Sequence, residues 1–551
     1  MAAKILDQDG REIPAAEIAR TRARALIGNP NAPYDAADRS SAEMAGWNAY
    51  LGAPDVETTP NRDLAVARIR DMVRNDGWAS GTVTKTVDAA IGADFRLSAR
   101  PDYRALARWY GPGFDAVWAK EFADAAEAGF RLWACEDDPA RWCDAERKDS
   151  FTEKSRLGFR HYLVEGEVVG PVGWHPERIG YGGARYGTTM HLVDPDRLSN
   201  PNLAMDTTSL RGGVELDDEG LVPVAYHLRG AHIGEWWAAA KSVTWTRVPR
   251  ETSWGRPGFV HFYDRDRAGD HRPVGGIFTP VLARMRMLAQ YDRLEVQAAI
   301  INAIFGAFIE SPFDADDVQK SLEDDAGQIS AYQQLRSDFH ADNRLSVGSV
   351  RLAKLFPGEQ IKTVSSSRPA GAFDMFEAAM LRNLAVATGS SFETVSANFR
   401  GSTYSSARQA LLEAWRTLYR RRRSFGRGWA TPHYVALLEE MIEYGDVPLP
   451  RGAPDFAEAR AWYARCSWMG PGRGWVDPTK EPEGSRMKIA SGLSTLEREA
   501  AENDGSDWEE NLDQLALEQK AAKDRGLTLT FEAKGGDGTE PPPEKPEDAP
   551  T

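Results

Sequence analysis

Eight arginines between positions 400 and 427 (Arg400, Arg408, Arg416, Arg420, Arg421, Arg422, Arg423 and Arg427) stand against one acid, Glu413, a local charge of +7 in a chain whose formal net charge is −15. Arginine presents a rigid fork of donors that fits phosphate and carboxylate alike. On a helix running from Tyr404 towards Phe425, 100° per residue puts Arg416, Arg420, Arg423 and Arg427 on one basic face. Leu411, Leu412, Trp415, Leu418 and Tyr419 fall on an apolar face, and Arg408 lies on that apolar side. Such a face can meet nucleic-acid phosphates, form an ion-pair strip between subunits, or stand in solvent.

The other residue types that do chemistry are present without the spacing chemistry needs. The nine histidines are scattered and none is paired at metal-ligand spacing, and Cys135 and Cys143 fit no zinc pattern. Asp217-Asp218-Glu219 adjoins Gly220 in a turn context, and Asp314, Asp316 and Asp317 sit near a helix start, where carboxylates favour the helix dipole. Gly470-Pro471-Gly472-Arg473-Gly474 is glycine-rich but is followed by Trp475-Val476-Asp477-Pro478, which reads as a plain loop. No GxxxxGK[ST], HExxH or GxSxG occurs. The chain is therefore expected to be no enzyme and to need no metal or cofactor.

The elements that must position the arginine helix follow from texture. The 551 residues, 42% apolar and 10% aromatic, suffice for several cored units. From Glu497 onward sixteen acids face six basic residues, so the body before it carries only −5. That balance argues against nonspecific coating of nucleic acid and leaves room for a defined contact surface. No run reaches the length of a membrane helix, and the N-terminal stretch lacks the apolar core of a secretory signal. Three cysteines build no disulfide framework, as in a soluble protein of a reducing compartment. Helical spacing is read over Arg62–Asn75, Phe114–Phe130 and Asp138–Phe159. Short strand-like runs follow at His161–Val169, Thr188–Val193, Val222–Leu228, Ser242–Val248 and Gly258–Tyr263, without a βαβ rhythm, so the class is α+β.

At Thr279-Pro280, an N-cap pair, a long helix begins and runs to Ile309, with its second half from Val296 apolar on nearly every side, so neighbours must enclose it. A small α/β insert over 310–369 is expected to hold helical pieces and two strands, Ser349–Leu355 and Gln360–Val364. A second helix, Phe373–Thr388, closes at Gly389, and the polar segment 390–403 reads as a loop. Thr431-Pro432 opens another helix stopped by Gly445, and Ser494 with Glu497 forms a capping-box pattern before a charged helix. Residues 1–34 read as a flexible arm and 531–551 as a disordered acidic tail.

The run from Ser367 to Arg422 resembles the signature of lambda-type bacteriophage portal proteins. Leu384-Ala385-Val386-Ala387-Thr388-Gly389-Ser390-Ser391-Phe392-Glu393 corresponds to a helix end before a short loop, and Thr403-Tyr404-Ser405-Ser406-Ala407-Arg408 to the helix start after it. Val193–Asn202, Gly212–Leu228, Arg247–Tyr263 and the stretches from Phe456 and Gly492 follow in the family's order, so the similarity spans roughly residues 35–530. His271-Arg272-Pro273-Val274-Gly275 departs from it, since the family tends to carry an Arg-Gly pair before its long helix.

The resemblance implies a closed homo-oligomeric ring, commonly of twelve copies, at one capsid vertex of the virion, made in the bacterial host cytoplasm. Through it double-stranded DNA is packaged and ejected. It would be docked by the terminase large subunit, a head-completion or tail connector protein and the major capsid protein. Mapped on this chain, 35–275 would be an α+β wing, 276–309 and 370–389 the stem helices, and 310–369 a small α/β clip. Residues 390–403 would be a tunnel loop, 404–446 long wing helices and 447–530 the wing end and mainly helical crown. Tunnel-loop or channel residues would be Asn398, Phe399, Arg400, Lys354, Lys362 and Arg382 in an otherwise neutral-to-acidic bore; clip docking would use Asp314, Asp316, Asp317, Glu323, Asp324 and Asp325. Another capsid or head–tail adaptor protein, or more remotely a nucleic-acid enzyme, are the alternatives.

Overall fold

A computed structural model describes residues 51–305, 344–347, 350–353 and 371–527 apart from 402 and 476, with Trp47, Ala49, 334–335 and 338–339. The expected arm and acidic tail, the clip positions Asp314, Asp316, Asp317, Glu323, Asp324 and Asp325, and Lys354 and Lys362 lie outside the described residues. The chain divides into two units, Met1–Glu57 and Thr58–Thr551. In the first, Gly52 N donates to Glu57 Oε1 at 2.8 Å. Apart from the first turn of α1, everything below concerns the second.

Helices α1 (Pro54–Asn75) and α2 (Gly77–Ala90) open the order, the second capped by the Asp76 carboxylate. Strand β1 (Arg96–Ala99), α3 (Tyr103–Tyr110), α4 (Ala116–Ala134) and α5 (Phe151–Glu165) follow. The expected helix over Asp138–Phe159 is corrected: residues 138–149 are turns, and the helix starts only at Phe151, where Ser150 and Glu153 form a reciprocal capping box. The expected strand His161–Val169 is likewise corrected, because α5 continues to Glu165 and ends at Gly166 in the left-handed region. The strands β2 (Glu167–Trp174), β3 (Thr188–Met190), β4 (Leu210–Arg211), β5 (Val214–Leu216), β6 (Pro223–Arg229), β7 (Trp245–Pro249) and β8 (Phe259–Tyr263) build two antiparallel sheets, ordered β3-β2-β8 and β4-β5-β6-β7.

Helix α6 (Leu282–Phe305) follows a 3-10 turn over Thr279–Val281, so Pro280 does sit in the first turn but Thr279 is not the cap. Thr279 instead donates its hydroxyl to Gly276 O at 2.7 Å. Gly276 is required there, since a Cβ would lie 2.0 Å from the Leu163 carbonyl oxygen. Strands β9 (Arg344–Val347) and β10 (Val350–Ala353) form a hairpin. The expected strand Ser349–Leu355 is present as Val350–Ala353 and pairs with β9; the expected strand Gln360–Val364 lies outside the described residues.

Helix α7 (Gly371–Thr388) packs back on α6, with Tyr291 stacked on Phe373 at 5.5 Å and tilted against Phe376 at 4.8 Å. The remaining elements are α8 (Phe392–Ser396), α9 (Tyr404–Phe425), α10 (Thr431–Glu443), α11 (Phe456–Tyr463), β11 (Cys466–Met469), α12 (Lys480–Ala490) and α13 (Trp508–Asp524). A π turn over Gly426–Ala430 joins α9 to α10 without a break, so Thr431-Pro432 continues a helical path instead of opening one. The expected capping box at Ser494 and Glu497 is corrected: Thr495 caps a short helix over Leu496–Glu499 that runs on as a π turn to Asp504, and the long charged helix begins separately behind Asp507.

Strand β11 pairs with β1, Leu97 opposite Trp468, and seals an aromatic core in which Phe95, Phe151 and Trp468 stack at 5.3–6.1 Å. Phe425, Trp429 and Tyr434 enter the same core from α9 and α10 and are inaccessible. The arginine helix is therefore rooted in the body by its C-terminal end. A fully buried aromatic of this size contributes roughly 3–5 kcal/mol relative to alanine.

Candidate channel loop and the arginine helix behind it

The segment between α7 and α9 has a packed root and an exposed tip. Gly389, at φ +69°, ends α7 as expected, with Ser390 N donating to Ala385 O at 2.9 Å. The expectation of an unstructured loop over 390–403 is then corrected. Ser391 caps the short helix α8 by accepting from Thr394 N, and Val395 is buried. Lys85 Nζ donates to Thr394 O at 2.5 Å, and the Arg382 guanidinium lies 5.3 Å from the Phe392 ring centroid. Residues 397–401 are all exposed. There Asn398 Oδ1 accepts from Arg400 N at 3.0 Å, and Phe399 leaves 63% of its surface in solvent. Thr403 and Ser406 close a capping box that starts α9. Asn398, Phe399 and Arg400 are thus brought together on one tip, and Arg382 stands at its root.

The basic face is exposed at Arg416, Arg420, Arg423 and Arg427, as the helical period requires. Only Arg420 has a described carboxylate partner, Asp264 at 3.2 Å, which also accepts from Tyr162 Oη at 2.6 Å. The two arginines between them have an inward role that their position in the run did not signal. Arg421 donates to Thr388 O at 2.6 Å, at the C-terminus of α7. Arg422 is buried and donates to Ala89 O, Ala90 O and Pro471 O, each at 2.7 Å. A cation satisfying terminal carbonyls complements the helix dipole. Arg408 pairs with Glu481 at 2.9 Å, anchoring the first turns of α9.

A buried ionic hub was not visible in the sequence. Glu167 on β2 is inaccessible and accepts from Arg62 Nε of α1 at 3.0 Å. It also accepts from Arg272, and its other oxygen meets His261 Nε2 of β8 at 2.9 Å. Burial pushes this carboxyl up, but Arg272, Arg62 and His261 together hold it well below the usual carboxylate range. Arg272 also donates to Leu198 O, Gly212 O and Pro195 O. The departure at residues 271–275 is thus no mere turn variation: its arginine ties both sheets to the chain entering α6. The only available signal was an arginine in an otherwise turn-like stretch.

Two of the acidic groups have partners among the described residues. Asp217 accepts from Leu221 N and Val222 N at 2.8 and 3.2 Å, the turn role expected of its cluster. Among the described residues, Asp194, Asp196 and His232 place ligand atoms within 4.8 Å of one another. The Arg70 guanidinium already bridges the two carboxylates, at 3.0 and 2.5 Å. No described helix is long and apolar enough to cross a membrane.

A chain with antiparallel sheets, a long helix pair and a loop returning into a basic helix defines a class. A family profile described as phage portal protein, lambda family, matches residues 40–422, and the chain belongs to that family. It is 30% identical to the portal protein of Escherichia phage N15 over 493 residues, covering 88% of this chain and 89% of that one. It is equally 30% identical to portal protein B of Escherichia phage lambda, over 494 residues with the same coverage. A probable portal protein of Halomonas phage phiHAP-1 is 24% identical over 67% of this chain and 64% of that one. Among solved structures, a chain of the virion of a native gene transfer agent particle aligns at TM-score 0.38 and 13% identity, covering 79% of this chain and 92% of that one.

Proposed function

We propose that this portal protein is one subunit of a closed ring of about twelve copies at a single capsid vertex, a conduit for double-stranded DNA during packaging and ejection. The observation that carries the reading is α6. Leu294, Val296 and Ile300 are 60%, 59% and 51% exposed on a helix whose outer side is left open among the described residues. Apolar surface of this extent marks an interaction face, and in a ring the adjoining copy covers it. In that ring 35–275 forms the wing, 276–309 and 370–389 the stem, 310–369 the clip, 390–403 the tunnel loop, 404–446 the long wing helices and 447–530 the wing end and crown.

The clip, with Asp314, Asp316, Asp317, Glu323, Asp324 and Asp325 repeated around the ring, receives the terminase large subunit and later a head-completion or tail connector protein. The major capsid protein surrounds the vertex. Duplex DNA passes Asn398, Phe399 and Arg400, with Lys354, Lys362 and Arg382 as the few other basic positions of the bore. Few fixed phosphate contacts suit a channel, because each contact adds affinity and resists movement.

End-view electron micrographs of the isolated protein test the ring, expected as closed annuli; a population of single chains contradicts it. Deleting Ala397–Arg400 tests the loop. Annuli are expected to form while heads fail to fill with or retain DNA, and normally filled heads from this deletion would reduce the loop to a connector.

A further inference from the structure

A cleft of about 450 Å³ opens between α9, β11 and the segment around Thr495–Glu502. Its aromatic walls come from Trp415, Tyr419 and Trp468. Five arginines (Arg100, Arg422, Arg423, Arg427 and Arg498) line it against two acids, Glu497 and Glu502, an excess of three positive charges. Arg100 is paired with Glu497 at 2.5 Å and Arg498 with Glu502 at 3.0 Å. Arg422 sits 5.0 Å from the Trp415 ring centroid with its donors spent on carbonyls, and burial pushes its guanidinium down to about 10. Arg423 and Arg427 are exposed, and neither has a hydrogen-bond or ion-pair partner among the described residues. A groove of this composition suits an extended, proline-rich acidic peptide: pyrrolidine rings lie on aromatic faces, and carboxylates meet the guanidinium forks.

The chain supplies such a peptide. Residues 540–550 read Glu-Pro-Pro-Pro-Glu-Lys-Pro-Glu-Asp-Ala-Pro, five prolines and four acids with one lysine, an excess of three negative charges. A sequence of this kind favours the polyproline II form, which limits the entropy lost on docking. Reach is sufficient. Trp508, the first residue of α13, lines a common depression with Arg100 and Glu497, which also line the cleft. The 17 residues of α13 carry the chain about 25 Å away. The thirteen residue-to-residue steps from Leu527 to Glu540 span up to ~43 Å when extended. A tether of that length holds the peptide at an effective concentration on the order of millimolar.

We propose that residues 540–550 dock into this cleft of their own chain, covering Arg423 and Arg427 and neutralising the basic surface beside the wing helices. The proposal does not depend on ring closure. The test uses the full chain with Pro542→p-benzoylphenylalanine, irradiated and digested for mass spectrometry. Cross-links are expected at 415–419 or 466–470, within one isotopic form when ¹⁴N and ¹⁵N chains are mixed. Arg423→Glu with Arg427→Glu should cut their yield about tenfold, two exposed pairs each being worth up to about fivefold. Reversing Glu540, Glu544, Glu547 and Asp548 to lysine should do the same, and combining both sets should restore the cross-link. An unchanged melting temperature shows that the body still folds. Cross-links elsewhere, cross-links between isotopic forms, or a yield indifferent to either charge reversal would overturn the proposal. So would protection of the cleft by short duplex DNA while the peptide remains unlinked, which would make it a phosphate site.

Discussion

Glu167 and Ile300 stand at opposite ends of the same chain's solution to burial. Glu167 is inaccessible, yet two guanidiniums and an imidazole from three separate elements meet it. Ile300 is an aliphatic side chain on a helix with half its surface in solvent. In the body even charge is satisfied internally; along the second half of α6, apolar surface stands in solvent. The difference teaches where one chain is complete as a folding unit and where, in the proposed ring, a neighbouring copy would take over. The exposed loop tip at Asn398–Arg400 belongs with α6 in this respect, as do Arg423 and Arg427, which have no partner among the described residues.

The largest effect is expected on the self-sufficient side. Glu167→Ala leaves Arg62 and Arg272 buried without their carboxylate, a loss of about 3–5 kcal/mol, readable by urea denaturation. The wild-type hub also has a pH signature. Because the folded carboxyl is held below its unfolded value, its contribution is complete above the ordinary carboxylate range and lost as pH falls through the folded value. Glu167→Gln should flatten that acid limb, and an unchanged limb would place the acid sensitivity elsewhere.

Ile300→Asp should act in the reverse sense. The chain's own melting temperature should move little, since the side chain is exposed, while assembly measured by light scattering should be lost. A variant that melts early yet assembles would erase the contrast. Arg420→Ala is the smallest expected change, within about 1 kcal/mol, because its pair with Asp264 is surface-screened. A larger loss would move the basic face into the self-completed body.

Local pattern accounts for much of this fold. The period of Tyr404–Phe425 sufficed for α9 and its exposed basic face, and Gly389 marked the end of α7. The misreadings have physical causes. The stretch 138–149 looked helical, but Asp144 accepts from Glu146 N, Lys148 N and Asp149 N at 3.1, 2.9 and 3.1 Å. That wraps the chain around the buried Lys154, 3.1 Å from Asp144 and 2.8 Å from Asp149, so a buried cation overrode propensity. His161–Val164 had strand-like residues, but a capping box eleven positions before His161 had already committed them to α5. The β1–β11 pair joins positions 371 apart, beyond any local signal. The same holds for the hub, whose members stand at 62, 167, 261 and 272. At the candidate site, the tip residues were legible from glycine and polarity. The inward turn of Arg421 and Arg422 was not, because it depends on carbonyls at the ends of distant segments.

Hydrogen exchange, compared between the proposed assembly and the Ile300→Asp chain, tests most directly the claim that the body is complete in one chain and α6 is not. Amides of residues 292–305 should be protected in the assembly and exchange markedly faster in the variant, while those of α5 and β2 exchange alike in both. Equal protection of 292–305 in the two forms, or loss of protection throughout α5 and β2 in the variant, would contradict it.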